Sequence, residues 1–293
     1  MPPSVLVLTG IVSVQVGAGL AARLFTQIPP AAVTALRLWT AAALMAVAGA
    51  RPLRQNLAAL IRRRSWRDAA VVAVFGLTLA VMNFSIYQAF SRIPLGIAVT
   101  IEFLGPLAVA VATSRRLIDL LWVALAGAGV ALLTGAGNLA GGHGINLVGL
   151  AFALLAGASW AAYIILSRAT GRRFPGASGL TIAMLIAAVV IVPVGVTAGR
   201  GALLRPGILA TGLAIGLLSS IIPYTLELEA LRRVPARVFG IWMSLEPAVA
   251  ALVGLVMLGE ALAVSEWAAI VCVMVACAGA ARGSARPSQA PEA

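Results

Sequence analysis

Runs of about 20 apolar residues recur along the whole chain, separated by short breaks of arginine, glycine and proline. A run of that length, coiled as an α-helix, crosses a hydrocarbon core of about 30 Å. Ten such spans fit: 4–22, 31–50, 68–90, 96–114, 117–135, 147–167, 177–199, 207–231, 238–258 and 266–281. The longest polar interruption, 51–67, is only a loop, so the pattern predicts a single transmembrane domain, 1–293, with no soluble domain beside it. The first run lacks the basic flank of a signal peptide and is followed at once by further spans, so it reads as a retained helix.

Composition agrees with lipid as the solvent. Hydrophobic residues make up 61% of the 293 and charged residues 10%, against about 45–50% apolar in a soluble domain. All 21 basic residues are arginine, against 9 acidic ones. Such an excess would suggest nucleic acid if the arginines were clustered, but they segregate into alternate loops. Sixteen fall after the second, fourth, sixth, eighth and tenth spans, and only Arg23, Arg92, Arg200 and Arg205 fall in the others. By the positive-inside rule this bias predicts an inner-membrane protein with both termini cytoplasmic. It leaves no reason to invoke a nucleic-acid partner.

Sliding the chain on itself by 141 residues superposes Ala89, Arg92, Pro94, Leu104, Pro106 and Ala110 on Ala230, Arg233, Pro235, Leu245, Pro247 and Ala251 without a gap. Both copies read as a helix end, an Arg-x-Pro turn and a new helix with Leu-x-Pro in its middle, which marks an internal duplication. The copies join spans three to four and eight to nine. The unit is therefore five helices, residues 4–135 and 147–281, with a short tail at 282–293. An odd number of crossings inverts the second copy. Inverted repeats suit a carrier with alternating access and a solute site near the membrane midplane, although a duplicated scaffold without transport would have the same topology.

A charge at the bilayer centre costs at least about 2.5–3.5 kcal/mol, so each ionisable residue within a span is a functional candidate. Arg37 lies in the second span, Glu102 in the fourth, Glu227 and Glu229 toward the inner end of the eighth and Glu246 in the ninth. Pro106 removes the amide that would bond the carbonyl of residue 102, so a kink is expected beside Glu102. Glu246 immediately precedes Pro247, a second expected kink, and shares a face with Trp242. Carboxylates at such depth are candidate sites for a proton or a solute ammonium, with Arg37 offsetting their charge or meeting a carboxylate. The plainer reading of Glu102 is an ion pair with Arg37, and that of Glu246 an interhelical hydrogen bond. Glu229, four residues before Arg233, reads as half of a solvated pair.

Polar stripes add cavity candidates: Ser220, Tyr224 and Glu227 on the eighth span, Asn83 and Tyr87 on the third, and Trp160 and Tyr163 on the sixth. Aromatic side chains with polar tips are also ordinary interfacial anchors. Small-residue ridges on the fifth span (Ala124, Ala128; Gly127, Ala131, Gly135) and the tenth (Ala268, Cys272, Ala276, Ala280) suit close packing within the scaffold or in a homodimer. No catalytic motif is present. Cys272 and Cys277 are off one another's face, and the lone His143 sits among Gly141, Gly142 and Gly144, so neither a disulfide nor a metal site is expected, and no cofactor.

The segments Asn83-Phe-Ser-Ile-Tyr87, Arg92-Ile-Pro-Leu-Gly-Ile-Ala98, Glu102-Phe-Leu-Gly-Pro-Leu-Ala108, Pro223-Tyr-Thr-Leu-Glu227, Met243-Ser-Leu-Glu-Pro-Ala248 and Leu258-Gly-Glu260 together resemble the EamA family of the drug/metabolite transporter superfamily, and more narrowly its threonine/homoserine exporter branch. The resemblance runs over the whole chain and is strongest in spans three, four, eight and nine. It implies a ten-helix fold, a cavity bounded by spans one, three, four, six, eight and nine, and proton-coupled efflux of small amino acids. Such a family fixes the fold better than the cargo, so other metabolites or drugs stay open as solutes.

Overall fold

The computed structural model describes residues 1–51, 53–55, 65–114, 116–139, 145–174 and 176–283. Arg62, Arg63, Arg64, Arg115, Arg286 and His143 with its glycines lie outside them.

Helix starts follow proline. With φ fixed near its helical value and no amide to leave unsatisfied, proline suits the first helical position, and it opens α1 (Pro3–Leu24), α2 (Pro30–Ala48) and α10 (Pro206–Gly216). Side-chain caps start two more: Ser65 accepts from the Asp68 amide to begin α3 (Trp66–Phe90), and Asn146 accepts from the Gly149 amide to begin α7 (Leu147–Gly171). The other helices are α4 (Leu95–Glu102), α5 (Leu104–Ala112), α6 (Asp119–Leu139), α8 (Ser178–Val190), α9 (Val192–Gly199), α11 (Ile222–Leu231), α12 (Ala236–Met243), α13 (Glu246–Val253) and α14 (Val264–Gly283). No strand occurs among the described residues.

Among the described residues, eight helical stretches are long and apolar enough to cross a membrane, counting α4 with α5, α10 with α11, and α12 with α13 as continuous spans. The protein is thus an all-helical integral membrane protein. Two expected spans have a different form. The seventh is bent by 46° between α8 and the stretch that follows it, where Pro193 interrupts the backbone ladder, and the fifth includes the shorter apolar helix Asp119–Leu133.

The two Arg-x-Pro turns have the same backbone. The amides of Arg92 and Ile93 both donate to the Ala89 carbonyl, at 2.8 and 2.9 Å, and those of Arg233 and Val234 to the Ala230 carbonyl, at 2.9 and 3.0 Å. Packing also repeats. As α3 lies against α7 and α8, so α10 and α11 lie against α1, and α10 against α2; α4 pairs with α13 and α6 with α14.

The α6–α14 contact takes part of the tenth-span ridge, Cys272, Ala276 and Ala280, but not the fifth-span ridge: Ala124, Gly127, Ala128 and Ala131 are exposed, and α6 packs through the face of Trp122, Ala126 and Gly129 instead. A side chain on Gly129 would press on the Ala269 carbonyl and one on Gly279 would enter the Trp122 ring, while Ala276 and Ala280 are buried. Glu229 bonds to Arg233 Nε at 2.8 Å, and Asp68 pairs with Arg173 at 3.0 Å. The tightest crossing joins α5 to α7, where a methyl on Gly105 would overlap the Gly157 carbonyl and one on Gly157 would lie 2.9 Å from the Glu102 carbonyl oxygen.

Gly105→Ala is therefore expected to cost about 1–3 kcal/mol of stability, the range for overpacking. Gly127→Ala, at a position that meets nothing within 4 Å, should cost none of it. Thermal unfolding of the two variants in the same detergent measures the difference, and equal midpoints would remove the crossing as a packing constraint.

Candidate functional site

Three breaks in the helices build the site, each beside a proline. Between α4 and α5 the ladder is interrupted at Phe103, three residues before Pro106. Between α12 and α13 it is interrupted at Ser244 and Leu245, three and two residues before Pro247. Phe103 and Ser244 are 141 residues apart, the repeat offset. The third break is a π-helical turn, Leu217–Ile221, between α10 and α11. Pro223 has no amide to give the Ser219 carbonyl four residues back. That carbonyl accepts from Arg37 Nη2 at 3.1 Å, and the neighbouring Leu218 carbonyl accepts from the Ser13 hydroxyl at 2.7 Å.

Around these breaks lies a cavity of about 170 Å³. Its wall carries Arg37 from α2, Glu102 from α4, Glu227 from α11 and Glu246 from α13, with Asn83, Trp160, Tyr163 and Tyr224 between them. Three carboxylates thus face one guanidinium. Arg37 is within electrostatic reach of Glu102, Tyr87 and Tyr224, and Glu246 is within reach of Glu102 and Glu227. Among the described residues no ion pair joins Arg37 to any of the three carboxylates. The plainer reading of Glu102, an ion pair with Arg37, is accordingly not met: Arg37 instead donates through Nη2 to the Ser219 carbonyl and lies over the Tyr87 ring, 5.5 Å from its centre.

Three expected lining residues lie elsewhere. Tyr87 is fully buried behind the wall, against Phe25 and Phe90 at ring distances of 6.0 and 5.8 Å, where it supports Arg37 from beneath. Trp242 packs on the cluster of Leu6, Val7, Ile11 and Ala230. Ser220 gives way to Ser219 because the π turn adds a residue to the helical repeat and brings the preceding position, five before Tyr224, onto the cavity face. The polar stripe read with an α-helical period was therefore displaced by one.

Gln15 is the lining residue that counting charges alone overlooks. It is 2% exposed, and its Nε2 donates to Glu246 Oε1 at 2.8 Å. The readable signal was an amide in the middle of an otherwise apolar first span. Trp160 meets Phe103 edge to face at 4.9 Å, and Tyr163 meets Phe75 at 5.3 Å, so both line the cavity from rings fixed by packing.

A second space, about 410 Å³, opens beyond the first and is lined by Ala22, Phe25, Gln88, Phe90, Arg92 and Glu260. Phe90 lines both spaces and so forms part of the wall between them. Glu260 follows Gly259, whose left-handed φ of 72° ends the π turn Gly254–Leu258 and suits a residue without a Cβ. The turn delivers Glu260 Oε2 to the Leu95 amide, at 2.8 Å, and so caps α4. Burial pushes this carboxyl above its usual range, against the pull of the Leu95 bond.

The EamA-like transporter family matches residues 147–282. The threonine/homoserine exporter RhtA of Escherichia coli strain K12 is 39% identical over 277 residues, covering 94% of this chain and 90% of that protein, and RhtA of Salmonella typhimurium strain LT2 has the same figures. The uncharacterized transporter YwfM of Bacillus subtilis strain 168 is 32% identical over 131 residues, 45% of this chain and 44% of that one. A protein of known crystal structure superposes with a TM-score of 0.62 at 22% identity, over 94% of this chain and 96% of the other.

If Phe90 separates the two spaces, Phe90→Ala should join them. With Cys272 and Cys277 replaced, a cysteine at Asn83 is expected to react with an impermeant thiol reagent from the Arg92 face about tenfold faster in the Phe90→Ala background, a change of about 1.4 kcal/mol in the barrier to entry. Unchanged labelling would mean that other residues form the seal.

Proposed function

Because this chain belongs to the EamA family of the drug/metabolite transporter superfamily, in its RhtA-like branch, we propose that it exports small amino acids such as threonine or homoserine through the cavity around Arg37. The family and the eight apolar helices make it a multi-pass inner-membrane transporter. The observation that carries the choice of solute is the cavity itself: about 170 Å³, with charges of both signs on its wall. Sites for drug-sized ligands measure about 300–1,000 Å³, so a compact zwitterion fits better than a drug. A non-transporting scaffold gives no reason to hold three carboxylates and an arginine around an internal space, given what each costs in the membrane.

In the proposed cycle the chain crosses the membrane ten times, as two inverted five-helix halves with both termini in the cytoplasm, and opens the cavity to each side in turn. The matching Arg-x-Pro turns and the repeated packing pairs support this reading. Protons would be the coupling ion, exchanged at Glu102, Glu246 or Glu227. Pro106 and Pro247 would keep the backbone beside the first two able to bend. A homodimer would use the outer face of α6 around Gly127.

Counterflow of labelled threonine in proteoliposomes tests the solute. Exchange is expected with threonine or homoserine inside, and its absence for every amino acid, in protein that exchanges another solute, would overturn the assignment. Coupling is tested by Glu102→Gln and Glu246→Gln. A residue that only loads protons should, once neutralised, leave exchange at equal pH and abolish transport driven by a pH gradient, whereas loss of both would make it a solute ligand. Full gradient-driven transport in the properly inserted double variant would exclude both. Single cysteines at Ser91 and Ala236 test the inversion, and should label from the outside and the inside of intact cells respectively.

A further inference from the structure

Hydrogen-bonding groups left without partners inside the cavity say more about its ligand than its charge does. Among the described residues, Gln15 Oε1 and Glu246 Oε2 are buried and have no donor, although Gln15 and Glu246 are bonded to each other through their other atoms. Arg37 Nε is buried and has no acceptor. Both kinds of group belong to residues on the wall of one space of about 170 Å³. Unmet acceptors and an unmet donor coexist there because no ion pair spans the gap between Arg37 and Glu246. Buried polar groups are rarely left in that condition, and when they are a ligand or solvent is the usual complement.

The orientation of the Gln15 amide is set by its neighbour. With Glu246 ionised, an amide turned the other way would set its oxygen against the carboxylate, acceptor against acceptor, so the nitrogen points there and the oxygen is left for the cavity. Its backbone is held on either side. Two residues earlier the Ser13 hydroxyl bonds to the Leu218 carbonyl, and two residues later Gly17 presses against Ser219 so closely that no side chain would fit. Gln15 therefore sits on a stretch of α1 clamped to the π turn, with little freedom to swing its oxygen away.

The geometry points to Gln15 as a specificity-determining residue: with Glu246 it forms a two-oxygen receptor for the solute's ammonium group, while Arg37 takes the carboxylate at the other end. This rests on the reading of the chain as an amino-acid carrier and adds to it how the amino end is chosen. A solute with only an ammonium leaves Arg37 unmet, and one with only a carboxylate leaves both oxygens unmet. Sites built to bond a polar group reject analogues that lack it far more strongly than apolar pockets reject a misfit.

The test is competition against labelled threonine counterflow in proteoliposomes, using threonine, N-acetylthreonine, which has no ammonium, and threonine amide, which has no carboxylate. Wild-type protein should prefer threonine over both. In Gln15→Leu the preference over N-acetylthreonine should fall about ten- to a hundredfold, the worth of a hydrogen bond to a charged group, while the preference over threonine amide should hold. If Gln15→Leu is poorly inserted, Gln15→Asn, whose amide is one methylene too short to reach Glu246, provides the same comparison. Equal loss for all three competitors, or no change in either ratio, would overturn the assignment and leave Gln15 as a strut. Wild-type protein that ignores all amino acids would instead overturn the amino-acid reading itself.

Discussion

A backbone carbonyl that loses its helical amide inside a bilayer has no water to turn to and must find a donor within the protein. This constraint organises the centre of the molecule. Pro223 has no amide for the Ser219 carbonyl, and in the π turn before it the Ile222 amide donates to Leu217 and not to Leu218, so side chains from two other helices answer: Ser13 from α1 and Arg37 from α2. The proline and its π turn thereby tie three helices together at the depth of the cavity. The tie also fixes where the one guanidinium that the described residues bring to the cavity wall can be, because a group that holds a carbonyl on one side and rests on the Tyr87 ring on the other has little freedom left.

The charge distribution follows from that tie. With part of its bonding capacity committed to backbone, Arg37 does not close onto Glu102, and among the described residues it forms no ion pair with any of the three carboxylates that share its cavity. Had they paired, the centre would be a structural ion cluster of the kind that often contributes little to stability. Unpaired, they leave a space whose lining holds both an unmet donor and unmet acceptors, and the Gln15–Glu246 bond makes part of that lining firmer. At the rim, Gly259 and Glu260 play a mechanical part, capping α4 from the far half of the chain.

Much of this was legible before any coordinates. The apolar period gave the membrane fold, and Pro106 and Pro247 marked where helices would break. The intramembrane charges Arg37, Glu102, Glu227 and Glu246, with Asn83, Trp160, Tyr163 and Tyr224, do meet at one cavity. What escaped depends on local winding and on packing depth. Ser219 replaces Ser220 because a π turn adds a residue to the repeat, an event visible in sequence only as the proline at 223. Tyr87 and Trp242 share faces with polar neighbours yet end behind the wall, since face alone does not say how far a side chain lies from the void. Gln15 carries no charge, and a lone amide in an apolar span is a weaker mark than an ionisable group at the same depth.

Phe90 has a significance of a different order from that of the polar residues. A cell that stores work as a voltage and a proton gradient across this membrane can tolerate slow export, but not a conducting hole. The ring that the two spaces share is Phe90, backed by Tyr87 and, through Tyr87, by Phe25. An isolated side chain changes rotamer on a picosecond-to-nanosecond scale, whereas helices rearrange in microseconds to milliseconds. The ring must therefore be held by its neighbours for many thousands of its own natural periods. The aromatic packing behind Phe90 then matters for the dielectric integrity of the membrane more than for the stability of the fold.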